Sequence, residues 1–135
     1  MTATSLEIYQ RYVWLTMVRD ADALAEMFTS DGVLESPLLP AGRAFPRRME
    51  GREEIRKGLA AYYERPPART DRVLNVDRSR YLVHTTADPD VFVVEIDTAF
   101  DTPGGATVMS LLKIFRMRDG KIALLRDYFA PEEVD

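Results

Sequence analysis

Apolar positions recur at helical spacing from Leu6 to Val18, where Leu6, Tyr9, Val13 and Met17, joined by Ile8, Tyr12 and Leu15, form a wide stripe. This predicts a first helix with Ser5 as its cap. The pattern resumes in Ala21, Leu24, Met27 and Phe28, and Asp20 or Asp22 supplies the oxygen that caps a short second helix. Gly32 to Pro37 reads as a brief strand bounded by Asp31-Gly32 and by Pro37 and Pro40. Pro37 to Arg48 holds three prolines and three arginines without periodicity, which predicts an ordered rim loop and a candidate lid. From Gly51 to Arg65, Ile55, Leu59, Tyr62 and Tyr63 lie on one side and Glu53, Glu54, Arg56 and Lys57 on the other. Pro66-Pro67 ends this third helix.

Beyond it the chain turns strand-like: Arg72 to Thr85, Val91 to Asp101, Thr107 to Met117 and Lys121 to Phe129, separated by short turns rich in Gly, Pro and Asp. Loops this short imply sequential hairpins. Helices ahead of a meander give an α+β layer architecture in which the helices cover one face of the sheet. At 135 residues the chain fits one domain, 1–135.

A three-residue loop at Arg118-Asp119-Gly120 pairs Met117 with Lys121 and sets Leu111 opposite Asp127. A three-residue loop at Pro103-Gly104-Gly105 pairs Thr102 with Ala106, which sets Asp97 opposite Leu111 and Glu95 opposite Lys113. One row then reads Asp97, Leu111, Asp127 and the next Glu95, Lys113, Leu125. For Glu95 and Lys113 a structural ion pair is the preferred reading. Asp127 is different: it sits among Leu124, Leu125, Tyr128 and Phe129, where burying an acid without a role is unfavourable, and a buried acid suits general acid/base work. The other face carries Phe92, Val94, Ile96, Phe100, Leu112, Ile114, Leu124 and Tyr128, and two apolar faces point to a homodimer.

Composition narrows the chemistry. There is no cysteine and a single histidine, His84, which excludes disulfides, thiolate catalysis and multi-histidine metal sites; His84 reads as a solvated strand-edge residue. The net charge of −4 argues against a nucleic-acid partner. No stretch approaches the roughly 20 apolar residues of a membrane span, and the first twenty residues lack the features of a signal peptide, so a cytoplasmic protein is expected.

The order of elements, with Phe28-Thr29-Ser30-Asp31-Gly32-Val33, Gly51-Arg52-Glu53-Glu54-Ile55 and Asp119-Gly120-Lys121-Ile122, resembles the nuclear transport factor two-like superfamily along nearly the whole chain. That group includes SnoaL-like polyketide cyclases, ketosteroid isomerases and limonene-epoxide hydrolases. The resemblance implies a cone-shaped α+β roll, three helices on a curved, mainly antiparallel sheet enclosing a pocket. Gly120-Lys121-Ile122 through Arg126-Asp127-Tyr128-Phe129 looks like the epoxide hydrolases, whose two catalytic aspartates fall on Asp127 and Asp97. The arginine between them is Glu95 here, the water-positioning pair Ser36 and Leu34, and the tryptophan Leu125. Gln10-Arg11-Tyr12-Val13 is similar to the isomerase helix that carries the oxyanion-holding tyrosine, which falls on Tyr12. The isomerase acids fall on Ser36 and Lys113. SnoaL-like cyclases ask only for an acid on the last strand, Asp127, in a hydrophobic pocket.

The expectation is thus a cofactor-free small-molecule enzyme acting on a hydrophobic, carbonyl-bearing substrate as cyclase or isomerase. Asp127, Asp97 and Tyr12 are its candidate catalytic residues, and Trp14, Phe28, Ser36, Leu111, Lys113 and Leu125 its candidate substrate contacts. Epoxide hydrolysis by an aspartate pair and a non-catalytic binding or dimerisation module are the alternatives.

Overall fold

The computed structural model describes residues 3–67 and 70–134. The first helix, α1 (Ser5–Met17), begins one residue earlier than expected, because Thr4 and Glu7 have the spacing of a capping box. Thr4 Oγ1 accepts from the Glu7 amide at 3.1 Å, and Glu7 Oε1 accepts from the Thr4 amide at 3.0 Å. After Val18 the chain reverses through Arg19, whose φ of 56° lies in the left-handed region. The Asp20 amide donates back to the Leu15 carbonyl there. Asp20 then caps α2 (Ala21–Glu26) by accepting from the Ala23 amide.

The apolar pair Met27-Phe28 does not extend that helix. Phe28 opens β1 (Phe28–Glu35), longer than the brief strand expected, because tertiary pairing on both edges recruits its first residues. The rim loop ends in β2 (Arg48–Glu50), an unexpected strand antiparallel to β1 with Met49 buried. Next comes α3 (Arg52–Tyr63), with Gly51 at its N-cap (φ 91°) and Ile55 and Leu59 buried.

The expected strand from Arg72 to Thr85 is broken into β3 (Val73–Leu74) and β4 (Arg80–Thr85) by a 3₁₀ turn at Val76–Arg78. Asn75 makes the break: its side-chain oxygen accepts from the Arg78 amide, while its own carbonyl accepts from the Ser79 hydroxyl. Both pieces pair with β5 (Val91–Thr102). The meander continues through β6 (Gly105–Arg118) and β7 (Lys121–Tyr128) to a last 3₁₀ turn, Pro131–Glu133. The sheet order is β2-β1-β7-β6-β5-β3, with β4 also on β5, and only β1 and β7 are parallel. The three helices pack on one face of this curved sheet, with Phe28, Leu34, Val94, Phe115, Ile122 and Leu125 in the core between. No helix among the described residues is long and apolar enough to cross a membrane.

Both expected hairpin registers are corrected. Between β5 and β6 the loop has two residues, Pro103 and Gly104, so Thr102 pairs with Gly105. That one-residue slip sets Asp97 opposite Ser110 and Glu95 opposite Leu112, and reverses the face on which each β5 side chain lies relative to β6. Between β6 and β7 the turn also has two residues, Asp119 (φ 53°) and Gly120 (φ 77°), the left-handed pair of a type I′ turn. Here an irregularity between Arg116 and Met117 adds a second one-residue shift, so Lys113 comes opposite Asp127. Two shifts restore the face. Asp127 therefore points inward in the row Val94, Lys113, Asp127, while Asp97 and Glu95 point outward. Phe92, Val94 and Ile96, expected on the other face, are inside for the same reason.

Candidate active site

Between the helices and the inner face of the sheet lies a cavity of about 270 Å³. Its strand-borne side chains include Leu111, Lys113 and Asp127, and its helix-borne ones include Tyr12 and Thr16 from α1 and Leu59, Tyr62 and Tyr63 from α3. Phe45 from the rim loop, Phe129 and Val134 complete an aromatic and aliphatic wall. Asp127, the acid expected on the last strand, is thus part of the lining of this open cavity.

Asp127 is 8% exposed, and its Oδ2 accepts from Lys113 Nζ at 2.7 Å. Its Oδ1 is buried and takes no hydrogen bond from the described residues. The carboxylate is therefore half satisfied: one oxygen is fixed by an ammonium, and the other has unused acceptor capacity. Lys113 Nζ also stands 5.5 Å from the centroid of the Tyr12 ring. Tyr12 is buried, and burial, reinforced by the Asp127 charge, pushes its phenol well above the usual value near 10. It is a neutral hydroxyl at any physiological pH and able to donate. Its ring is held edge-on by Phe115, at 5.7 Å between centroids, and Phe115 is stacked on Phe92 at 4.6 Å.

Other groups around the cavity are also ordered. Arg72 Nη1 donates to Glu133 Oε2 at 2.7 Å, and the guanidinium lies 3.9 Å over the Phe100 ring. The Tyr62 hydroxyl donates to the Val134 carbonyl at 3.4 Å, which ties α3 to the final turn. Arg19 Nη1 donates to the Tyr63 carbonyl at 3.2 Å, with its guanidinium 5.6 Å above the Tyr63 ring. Burial raises the Tyr63 phenol to about 12 despite the pull of Arg19.

Of the residues expected from the sequence, Tyr12, Leu111, Lys113 and Asp127 meet at the cavity. Asp97 does not: its exposed carboxylate accepts from the Ser110 hydroxyl at 2.7 Å on the outer face. Glu95, the expected partner of Lys113, instead sits 2.7 Å from His84 Nε2 on that face, giving the solvated histidine a partner. Trp14 is 59% exposed, because two positions along a helix from Tyr12 turns it to the opposite side. Phe28 and Leu125 are completely buried in the core and do not line the cavity. Ser36 is 1% exposed with a hydroxyl that lacks a partner among the described residues, and it too lies outside the cavity wall. Tyr62 and Tyr63 were legible as part of the apolar stripe of the third helix, and Phe45 as the one aromatic of the rim loop. Arg19 and Arg72 carried no local signal, since they reach the cavity through a helix end and a broken strand.

Comparison with known proteins agrees with this architecture. A family model described as a SnoaL-like domain matches residues 9–125. An uncharacterized PhzA/B-like protein of Pseudomonas aeruginosa is 33% identical over 114 residues, covering 83% of this chain and 74% of that protein. A crystal structure of a Bacillus subtilis protein proposed to be an isomerase superposes with a TM-score of 0.70 at 22% identity, over 94% of this chain and 86% of that one. A Catenulispora acidiphila protein with a ketosteroid isomerase-like fold, solved in complex with trimethylamine, superposes with a TM-score of 0.63 at 18% identity, over 97% and 91% of the two chains.

Proposed function

The chain belongs to the SnoaL-like domain family, in the nuclear transport factor two-like superfamily, and from that premise we propose that it is a cofactor-free small-molecule enzyme. In this proposal Asp127 is the general acid/base acting on a hydrophobic, carbonyl-bearing substrate, in an isomerisation or cyclisation. The observation that supports it best is the half-satisfied carboxylate, buried in an aromatic cavity beside a phenol that stays protonated.

The chemistry follows from the groups present. The Asp127 carboxylate takes a proton from the carbon next to the substrate carbonyl, and the electron pair left on that carbon moves onto the carbonyl oxygen as an enolate. The Tyr12 hydroxyl donates a hydrogen bond to that oxygen, where the buried surroundings make a fixed donor most effective. Lys113 holds Oδ2 and keeps the carboxylate oriented. Returning the proton to a different carbon completes an isomerisation; in a cyclisation the enolate carbon attacks a second carbonyl, and the proton held by Asp127 passes to the alkoxide oxygen that this forms. Epoxide hydrolysis by an aspartate pair loses its geometric basis, because Asp97 faces away from the cavity.

The test uses 2-tetralone in deuterium oxide, with exchange at the carbon next to the carbonyl followed by proton NMR. Wild-type protein is expected to accelerate exchange, and Asp127→Asn to lower that acceleration about 100- to 10,000-fold. Binding of the ketone without accelerated exchange would replace the enzyme with the binding-module alternative.

The homodimer is proposed on the outer face, where Val93, Leu112, Ile114 and Leu124 are only half-buried in the single chain. Light scattering giving the mass of one chain at micromolar concentration would dismiss it.

A further inference from the structure

The backbone of Arg19 occupies a conformation that glycine adopts freely and that costs other residues about 1–2 kcal/mol. A glycine there would end α1 equally well, so the turn itself does not explain an arginine. The side chain suggests what does: the guanidinium is carried to the cavity wall, over the Tyr63 ring and against the Tyr63 carbonyl.

The charges around the cavity sharpen the point. Among the described residues that line it, three cations, Lys113, Arg72 and Arg19, stand against two acids, Asp127 and Glu133. Each acid is taken, at 2.7 Å, by Lys113 and Arg72 respectively. Among the described residues Arg19 has no carboxylate partner, and one carbonyl leaves most of its five donors unused. Among the described residues the cavity lining thus carries one more cation than acid, and that cation, on the exposed Arg19, is a planar group suited to a carboxylate, beside an aromatic wall.

We propose that the substrate carries a carboxylate on an aromatic or alicyclic skeleton and that Arg19 binds it. This inference rests on the small-molecule reading above and adds the substrate class. Its placement also gives specificity: the ring packs among Tyr12, Tyr62, Tyr63 and Phe45, and the anion selects the orientation that presents the reacting carbon to Asp127.

Isothermal titration calorimetry with 2-naphthoate and its neutral counterpart 2-naphthamide tests it. Wild-type protein should bind the carboxylate about tenfold more tightly than the amide, with the difference shrinking as salt rises. Arg19→Gln should abolish the preference while leaving amide affinity within about twofold. Arg19→Gly should do the same with no loss of melting temperature, because it relieves the left-handed backbone; this separates lost recognition from unfolding. Equal affinities in the wild type, or a preference that survives both variants, would overturn the proposal. If neither probe binds, the small-molecule reading falls with it. If naphthoate binds through Arg19 but tetralone is not exchanged, only the acid/base reading falls.

Discussion

Lys113→Met is expected to destabilise the folded chain by about 3–5 kcal/mol, because it strands the Asp127 carboxylate in the interior without its counter-ion. Both side chains are only 11% exposed, so solvent does little to relieve the charge left behind. The other carboxylate oxygen already lacks a partner among the described residues. Replacing both partners, as Lys113→Met with Asp127→Leu, is expected to recover most of the loss, since a packed apolar pair is often as stable as a buried ionic one. Urea unfolding of the two single variants, the double variant and the wild type measures the cycle. A single-variant loss below about 1 kcal/mol would show that the pair behaves as a surface salt bridge. A double variant no better than Lys113→Met would show that the loss is one of packing. An ion pair that contributes little net stability and is expensive to break is understandable when one partner has a second task.

The other large effect is expected at Phe115. Its ring is completely buried, stacked on Phe92 with only 7° between the planes, and it meets Tyr12 edge-on at 85°. Phe115→Ala should cost about 3–5 kcal/mol through lost burial and the cavity it leaves. Phe115→Leu refills much of that volume and should cost substantially less. It still removes the ring edge that fixes Tyr12, so its tetralone exchange should fall by more than its stability does. A Phe115→Leu protein with wild-type exchange would show that Tyr12 needs no such support.

The helices and the long strands of the meander were legible in the sequence because each is written locally, whereas β2 and the break between β3 and β4 were not. Spacing of Leu6, Tyr9, Val13 and Met17 specifies α1, and the Asp-Gly at 119–120 specifies a hairpin. What was not legible is parity. Whether a loop has two residues or three depends on backbone angles that Pro103-Gly104-Gly105 permits either way, and one residue decides which face Asp97 occupies. At the next hairpin the loop was one residue shorter than expected, and the irregularity near Arg116 supplied a compensating shift. Asp127 was thus found on the expected face by way of two departures from the expected register, whereas Asp97 met one departure and left the site. Burial of Asp127 could be inferred from its apolar neighbours in sequence. Its pairing with Lys113 required knowing how the strands align. Arg19 shows a further limit: nothing in Val18-Arg19-Asp20 signals a left-handed residue, since the sequence offers neither glycine nor asparagine there.

The parallel contact of β1 with β7 also bears on how the protein comes into being. It joins a strand near the start of the chain to one near its end, so its closure must wait for most of the chain to be available. On a ribosome, α1 through α3 and β1 emerge well before the strand that carries Asp127, and their apolar faces stand uncovered in the interval. The hairpin of β6 and β7, tied by its two-residue turn, is local and quick to form. Docking it onto β1 is expected to be the slower, long-range step that completes the sheet. Because Asp127 lies on that last strand, the proposed acid/base reaches its place in the cavity only when this docking is complete.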